Sequence, residues 1–267
     1  MLAPNINPVI FTLGPLSVRW YGLMYVIGFI LAGFLLHKLV KEGFLKIPKE
    51  KIDSLISWSL VSMFLGARFA YVFIYNWDYY SENIVEIFSV WKGGLSFHGG
   101  LAGLIIMKYL FAKKRGLHFF QISDCIAIVG TPGLGFGRLG NFINHELWGR
   151  VTEVPWGMIF RGGGPYPRHP SQLYESLFEG FTLFLILFLL RKRARYYGVV
   201  SSFFMIGYGT FRYFIEFFRE ADQQLGYYLW GTTTMGQILC FMMVIAGIIL
   251  LFYTYKIKIP ITFSRKR

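Results

Sequence analysis

Charged side chains occur at the ends of several long apolar runs, where their placement is energetically costly. Arg138 ends one such run, and Arg212, Glu216 and Arg219 end another. An ionisable residue within or beside a membrane-length apolar segment is a functional candidate by default, because lipid solvates charge poorly. A guanidinium presents a planar pair of N–H donors that matches two phosphate oxygens. A guanidinium at such a place is therefore a candidate for binding a phosphate group.

The spacing of the second group predicts that its members share a helix face. Arg212 and Glu216 are four residues apart, and Arg219 lies three residues beyond Glu216. On a helix such positions are neighbours, so the carboxylate can pair with a guanidinium. One interpretation is a guanidinium held in position for a phosphate. The alternative is an ion-pair ladder that only stabilises the helix, and the spacing does not decide between them.

His98 is a candidate for proton transfer. It precedes Gly99, Gly100 and Gly103, which permit a backbone or a lipid to approach closely. Imidazole has an ordinary pKa of about 6.5 and can exchange a proton near neutral pH. The alternative is a hydrogen-bonded packing residue, and both interpretations remain open.

Two short motifs match well-known patterns but lack the context that those patterns require. Residues 135–140 fit G-x-G-x-x-G, yet the dinucleotide-binding form needs a preceding strand, and an apolar run occupies that place. His145 and Glu146 begin an H-E-x-x-H motif, but Gly149 stands where its second histidine would be. Neither of the two cysteines has metal-ligand spacing. We therefore predict no bound metal and no cofactor.

The elements that position these residues are predicted to be membrane helices. The 267 residues are 55% hydrophobic and only 15% charged, with a mean hydropathy of +0.48. Soluble domains rarely combine these values. We expect an all-α integral membrane protein with about seven transmembrane helices, forming a single domain over residues 1–267. The predicted helices cover residues 17–40, 53–75, 95–112, 120–138, 171–190, 198–218 and 233–255.

The longest segment between predicted helices runs from about 139 to 170. Its second half is rich in glycine and proline: Gly162, Gly163, Gly164, Pro165, Pro167 and Pro170. Such a composition excludes one long helix. We predict a small arm or head at the end of the helices, on the outer side of the membrane.

The basic residues predict the orientation of the chain. One alternate set of connections contains sixteen of them: Lys41, Lys46, Lys49, Lys51, Lys113, Lys114, Arg115, Arg191, Lys192, Arg193, Arg195, Lys256, Lys258, Arg265, Lys266 and Arg267. The other set contains six: Lys92, Arg138, Arg150, Arg161, Arg168 and Arg219. Because positive loops stay in the cytoplasm, the N-terminus is predicted outside and the C-terminus inside. The net charge of +13 is thus explained by topology, and no nucleic-acid partner is expected.

With this topology, helices that run in opposite directions bring their polar ends to one membrane face. Arg68 lies near the outer end of the second predicted helix, and His98 opens the third. His169, Gln172 and Glu175 open the fifth. We therefore expect the reaction site at the outer, periplasmic-type face.

A motif of thirteen residues resembles a known family. Residues 137–149 read GRLGNFINHELWG, which is similar to the signature of the prolipoprotein diacylglyceryl transferases. The matching positions are Gly137, Arg138, Gly140, Asn141, Phe142, Asn144, Glu146 and Gly149. Further matches follow in the same order along nearly the whole chain: Trp20-Tyr21-Gly22, Gly66-Ala67-Arg68, His98-Gly99-Gly100-Leu101, 169–175, Tyr208 to Arg212, Glu216 and Arg219. Arg19 stands where some members carry histidine, so position 19 is given no catalytic role.

The resemblance implies an activity and a set of site residues. Family members transfer the diacylglyceryl group of phosphatidylglycerol to the thiol of the lipobox cysteine in a preprolipoprotein signal peptide, and release glycerol phosphate. The expected location is the bacterial inner membrane. Residues expected to act in catalysis are Arg138, Arg212, His98 and Glu146. Residues expected to bind phosphatidylglycerol are Arg138, Asn141, Asn144, Tyr21, Arg68, Glu216 and Arg219.

Alternatives remain for several of these roles. The thiol proton could pass to His98 or to Glu146, or the field of the arginines could lower the thiol pKa. Asn141 and Asn144 could hydrogen-bond the lipid head group or form a helix-terminal cap network. Tyr21 could contact the ligand or belong to the interfacial aromatic belt. For the whole protein, a transporter and a structural assembly subunit are the competing hypotheses; a transporter would place its ionisable residues near the bilayer midplane.

Overall fold

A computed structural model describes residues 1–14, 16–220, 227–228 and 233–263. The chain divides into two compact units. The first contains Met1–Leu35 and Asp124–Phe263, and the second contains Leu36–Ser123. The cytoplasmic prediction for Arg265, Lys266 and Arg267 falls outside the described residues.

Helices account for most of the described chain. In chain order they are α1 (Trp20–Lys41), α2 (Ile52–Ala70), α3 (Trp77–Glu82), α4 (Phe97–Lys114), α5 (Phe119–Ile143), α6 (Ser171–Glu175), α7 (Leu183–Leu190), α8 (Val199–Ile215) and α9 (Met235–Ile257). π-helical turns at Tyr71–Tyr75 and Ser176–Thr182 extend α2 and join α6 to α7. Two antiparallel hairpins pair β1 (Val9–Leu13) with β2 (Leu16–Arg19), and β3 (Tyr227–Tyr228) with β4 (Thr233–Thr234).

The prediction of an all-α integral membrane protein is confirmed. Among the described residues, five helical segments are long and apolar enough to cross a bilayer: Trp20–Lys41, Lys49–Tyr75, Phe119–Ile143, Ser171–Leu190 and Met235–Ile257. The other two predicted spans correspond to α4, which contains three lysines in its 18 residues, and to α8, which has 17 residues. The count of seven spans stays a prediction.

Outward-facing apolar side chains on these helices fit a lipid environment. On α9, Phe241, Ile249 and Phe252 are each at least 60% exposed. Water would disfavour so much exposed hydrocarbon, whereas lipid chains solvate it. The chain is therefore a multi-pass membrane protein.

In the second unit, small residues let α2 and α4 pack closely. A Cβ atom added to Gly99 would meet the carbonyl oxygen of Gly66 and the side chain of Ala70, and one added to Gly103 would meet the carbonyl oxygen of Ser62. Close backbone approach of this kind is how membrane helices gain packing energy without a hydrophobic driving force. The glycines after His98 therefore have a structural role.

In the first unit, a buried carboxylate joins α5 to α8. Asp124 is fully buried and accepts hydrogen bonds from the backbone N–H groups of Gly198 and Ser201, at 2.7 and 2.8 Å, and from the Ser201 hydroxyl at 2.6 Å. The first N–H groups of a helix have no partner within the helix. Asp124 supplies that partner to α8 from 74 residues away and fixes the two helices together.

Residues 144–170 form turns and isolated β-bridges, and α5 extends five residues into the segment predicted as an arm, 139–170. Gly140 lies within α5, and the ring of Tyr21, on α1, packs directly against it. The arm is attached to the end of α8: Gly149 and Arg219 form a bridge, and Arg150 Nε donates to the Arg219 carbonyl at 2.7 Å. The location of the arm outside the membrane, and the single domain over 1–267, stay predictions.

Candidate active site

Three helix ends in the first unit bring arginines and glutamates together. Arg138 lies near the end of α5, Glu175 is the last residue of α6, and Arg212 lies in the last turn of α8. The five-residue helix α6 lies beside the ends of α5 and α8, so these three side chains meet on one side of the unit. The predicted gathering of Arg138 and Arg212 is thus observed.

Glu175 is the centre of this cluster. Its side chain is 1% exposed, and its two oxygens contact Arg138 Nε at 2.5 Å, Arg219 Nη1 at 2.5 Å and Arg212 Nη1 at 3.1 Å. The Arg219 contact is a charged hydrogen bond and the other two are ion pairs, and both kinds of contact are strong where water is excluded. One carboxylate therefore orients all three guanidinium groups.

Two further carboxylates complete the cluster. Glu216 Oε2 is 3.2 Å from Arg212 Nη2 and 3.4 Å from Arg219 Nε, and Glu179 Oε1 is 3.6 Å from Arg212 Nη1. The ion-pair ladder considered for Arg212, Glu216 and Arg219 is therefore present, as part of a larger network. With three arginines and three glutamates the network is formally neutral, which reduces the cost of burying its charges.

The start of α9 approaches the same network. Thr234 caps α9 by accepting from the backbone N–H of Gln237 at 3.2 Å, and its hydroxyl donates to Glu216 Oε1 at 3.3 Å. Gly236 leaves room for this approach, because an added Cβ would collide with the Glu216 carboxylate. The partial positive charge of the helix N-terminus thus faces a carboxylate and stabilises it.

The three arginines differ in accessibility. The side chain of Arg138 is 25% exposed, against 16% for Arg212 and 10% for Arg219. Arg138 is therefore the arginine most accessible to an incoming anion, and its contact with the buried Glu175 fixes its position. Arg212 and Arg219 form the buried part of the network.

Beside Arg138, the signature forms a polar network at the end of α5. Arg138 Nη1 lies 3.5 Å from Asn141 Oδ1, and the amide groups of Asn141 and Asn144 both donate to Glu146 Oε1, at 2.8 and 3.1 Å. This is the helix-terminal network that was one of the two interpretations of the asparagines. Contact of these residues with phosphatidylglycerol stays a prediction.

Tyr21 lies in the same unit, over Gly140 of the signature. Its hydroxyl is 3.0 Å from the hydroxyl of Tyr25, one turn further along α1. The contact with Gly140 places Tyr21 next to the residues that surround Arg138. A ligand contact is consistent with this position and stays a prediction.

Arg68 and His98 belong to the second unit. Arg68 is buried and donates four hydrogen bonds, of 2.7 to 3.0 Å, to the carbonyls of Glu86, Ile87, Gly93 and Gly94. Most of its N–H groups therefore anchor the loop between α3 and α4, and its predicted lipid contact is not tested. His98 is exposed in the first turn of α4, where its ring contacts Phe97 edge to face.

The sequence marked Glu175 as a costly residue at a helix end but gave it no specific role, and it did not single out Glu179, although both belong to the cluster. The signal was present: two carboxylates lie four residues apart at the start of a predicted membrane helix, where a charge needs a partner. The sequence could not show which cation pairs with Glu175, because its partner Arg219 is 44 residues away along the chain.

A second polar chain ties the arm to α6. Trp156 Nε1 donates to the Tyr174 hydroxyl at 2.7 Å, and that hydroxyl is 3.2 Å from His169 Nδ1. Burial lowers the pKa of His169 below its ordinary value, which favours the neutral ring in this hydrogen bond. Because Tyr174 precedes Glu175, this series of hydrogen bonds holds the arm next to the cluster.

Fold and site together define a multi-pass membrane protein with a buried arginine–glutamate cluster at its helix ends. The prolipoprotein diacylglyceryl transferase family matches residues 8–253. Proteins named phosphatidylglycerol--prolipoprotein diacylglyceryl transferase are 48% identical in Oleidesulfovibrio alaskensis and 49% identical in Pseudomonas paraeruginosa, each over 95% of both chains. A relative of the same name in Vibrio atlanticus is 48% identical over 95% of this chain and 92% of its own. The chain belongs to the prolipoprotein diacylglyceryl transferase family.

Proposed function

We propose that this protein transfers the diacylglyceryl group of phosphatidylglycerol to the thiol of the lipobox cysteine of a preprolipoprotein, the first step of bacterial lipoprotein maturation. Its relatives carry the names of this lipid and of the prolipoprotein substrate. The products are a thioether-linked lipoprotein precursor and glycerol phosphate.

The observation that carries the proposal is the contact of Arg138, a partly exposed guanidinium, with the buried carboxylate of Glu175. The reaction expels a phosphate ester, so the enzyme has to stabilise negative charge on the departing phosphate. A guanidinium already fixed by a buried carboxylate meets that charge without reorganising during the reaction. Arg138 is the accessible member of the cluster, and Arg212 reinforces the field behind it.

The bond changes in this proposal balance without a cofactor. The thiolate sulfur of the substrate cysteine attacks the glycerol carbon of the diacylglyceryl group that carries the phosphate ester. A sulfur–carbon bond forms while the carbon–oxygen bond to phosphate breaks, and the phosphate oxygen leaves with the electron pair. The substrate provides the nucleophile, so neither cysteine of the enzyme is required.

Removal of the thiol proton needs a base or a strong local field, because a free thiol has a pKa of about 8.5. Glu146 lies in the network that contains Arg138 and accepts two amide N–H groups. His98 offers an exposed imidazole in the second unit. Each residue is a candidate proton acceptor by its chemistry, and next to Glu146 the cationic field of Arg138 would favour the thiolate.

We further propose that the protein lies in the bacterial inner membrane, with its N-terminus in the periplasm, its C-terminus in the cytoplasm and the cluster at the periplasmic side. Sixteen Lys and Arg in one set of loops against six in the other support this orientation. A site on that side would meet signal peptides after translocation.

The direct test uses purified protein, phosphatidylglycerol and a synthetic lipobox peptide. Mass spectrometry should show a peptide whose cysteine has gained the diacylglyceryl group, with glycerol phosphate released in equal amount. A matched peptide with serine in place of cysteine is the control. Absence of modified peptide across detergents and reconstituted lipid bilayers would refute the proposed function.

Substitution of Arg138 tests its role. Arg138→Ala should lower the rate by about 100-fold or more, the usual loss when a charge-stabilising donor is removed. Arg138→Lys keeps the charge but loses the planar fork, so its rate should stay well below that of the original protein. Arg193→Ala, on the exposed turn after α7, is the matched control. Equal rates for the Lys variant and the original protein would show that a point charge suffices.

A further inference from the structure

Glu179 is the carboxylate that contributes least to positioning the arginines. Its Oε1 is 3.6 Å from Arg212 Nη1, which is longer than every other ion pair of the described cluster, and it receives no hydrogen bond from the described residues. Arg212 is already held by Glu175 at 3.1 Å and by Glu216 at 3.2 Å. Without Glu179, each of the three guanidinium groups would therefore keep a closer carboxylate.

Helix packing, and not ion pairing, keeps Glu179 buried in the cluster. Its side chain is 2% exposed and lies in the π-helical turn Ser176–Thr182. The next residue, Gly180, packs so closely against α5 that an added Cβ would collide with the backbone of Gly135. Burial of a carboxylate costs free energy unless close partners offset it, and π-helical turns occur often at functional sites. The property that Glu179 adds to the cluster is therefore its negative charge.

The proposed reaction creates a need for such a charge. The phosphodiester of phosphatidylglycerol carries one negative charge. Glycerol phosphate is a phosphate monoester with a second pKa of about 6, so at pH 8 the product carries two negative charges. A cationic cluster that stabilises the departing phosphate therefore attracts the product more strongly than the substrate. Glu179 interacts electrostatically with Arg138, the arginine placed to meet that phosphate, and opposes this attraction.

We propose that Glu179 is a charge-balancing residue, whose carboxylate limits the affinity of the arginine cluster for glycerol phosphate so that the product can leave. The proposal rests on the proposed function, because that function supplies the doubly charged product. Glu179→Gln keeps the size of the side chain and changes the formal charge of the cluster from zero to +1. Glu175→Gln makes the same change of charge but also removes the 2.5 Å contact of Arg138. The two variants therefore separate charge from positioning.

Binding to the full-length protein in detergent at pH 8 tests the proposal by ligand-observed NMR. The probes are glycerol 1-phosphate, with two charges, and glycerophosphoglycerol, the head-group diester with one. Glu179→Gln should bind the first about tenfold and the second about threefold more tightly, because electrostatic free energy scales with ligand charge. Glu153→Gln makes the same change of charge on the exposed arm and should leave both affinities unchanged. The gain should disappear in an Arg138→Ala background.

Kinetics with the lipobox peptide provide a second measurement. In Glu179→Gln the inhibition constant of glycerol phosphate should fall by a similar factor, while the single-turnover rate, which precedes product release, stays near the original. The single-turnover rate of Glu175→Gln should instead be low, because Arg138 loses its fixed position. Glu179→Met removes the same charge with an apolar side chain of similar length, and it replaces the glutamine variant if that variant does not insert.

The results distinguish this proposal from the proposed function. Unchanged or weaker binding of glycerol phosphate by Glu179→Gln overturns the charge-balancing role, even if the transferase is active. Equal gains for the two probes also overturn it, because a change in field favours the doubly charged ligand. Tighter binding of glycerol phosphate by Glu179→Gln, in a protein that never modifies the lipobox peptide, refutes the proposed function and leaves the role of Glu179 at a phosphate-binding cluster standing.

Discussion

Replacing Glu175 by glutamine tests whether one buried carboxylate organises the reaction site. The substitution keeps the size of the side chain but removes the charge that Arg138, Arg212 and Arg219 share. It also turns one acceptor oxygen into an N–H₂ group that points at a guanidinium. The formal charge of the cluster changes from zero to +1, because three arginines then face two glutamates.

The structure sets the size of both expected effects. Loss of one partner from a buried ion pair costs about 3–5 kcal/mol, and Glu175 is 1% exposed, so the full penalty applies to the stability of the first unit. Catalysis should fall as well, because Arg138 loses its 2.5 Å contact and a misplacement of about 1 Å can cost about 100-fold in rate. We expect Glu175→Gln to be both less stable and at least about 100-fold slower.

Three measurements check this prediction. Membrane insertion and thermal unfolding in mild detergent report stability, and the lipobox peptide assay reports rate. Glu153→Gln, an exposed glutamate on the arm, is the matched control and should resemble the original protein in each measurement. Glu175→Asp keeps the charge and only shortens its reach, so it should insert with a smaller loss of rate, which covers the case that the glutamine variant does not fold.

Normal insertion of Glu175→Gln with a rate within twofold of the original would refute this role of Glu175. Arg138 would then be held by other contacts, and the cluster would be only a stabilising network. A loss of stability without a loss of rate would lead to the same conclusion about catalysis. Glu175 is a positioning residue in our account, so its effect should be transmitted through Arg138 and disappear in an Arg138→Ala background.

The remaining predictions concern helix packing. Asp124→Ala should destabilise the first unit by at least about 2 kcal/mol, because the backbone N–H groups of Gly198 and Ser201 lose their buried acceptor. Asp124→Asn should lose less stability than Asp124→Ala, and an unchanged unfolding midpoint of Asp124→Ala would contradict the prediction. Gly99→Ala should destabilise the second unit by about 1–3 kcal/mol, because the added methyl group collides with the backbone of α2. Gly130→Ala is its control, since nothing lies within 4 Å of the added Cβ, and equal unfolding temperatures for the two variants would refute the packing argument.

Much of the fold could be predicted from the sequence because membrane helices are encoded locally. The predicted spans 17–40, 171–190 and 233–255 correspond to Trp20–Lys41, Ser171–Leu190 and Met235–Ile257 within three residues at each end. Backbone groups in lipid have to bond within their own segment, so a long apolar run leaves little choice but a helix. The end of α5 was less predictable: the helix was expected to end at residue 138 and continues to Ile143, past Gly140.

The candidate site was only partly predictable for the same physical reason. Positions four residues apart on one helix are neighbours by helix geometry, so the contact of Arg212 with Glu216 follows from spacing. Arg68 was less predictable. Its charge within an apolar run marked it as energetically costly to place, but its role as a loop anchor depends on carbonyls 18 to 26 residues away.

The sequence by itself determined the class of protein, the family and which side chains would be costly to place. Its signature and its apolar runs contain that information within short stretches of chain. Only the tertiary structure decided that Glu175 is the shared partner of three arginines and that Glu179 joins them. The reason is that α6 and α8 approach through packing among many side chains, and a pairing across 44 residues follows from that packing and from no local pattern.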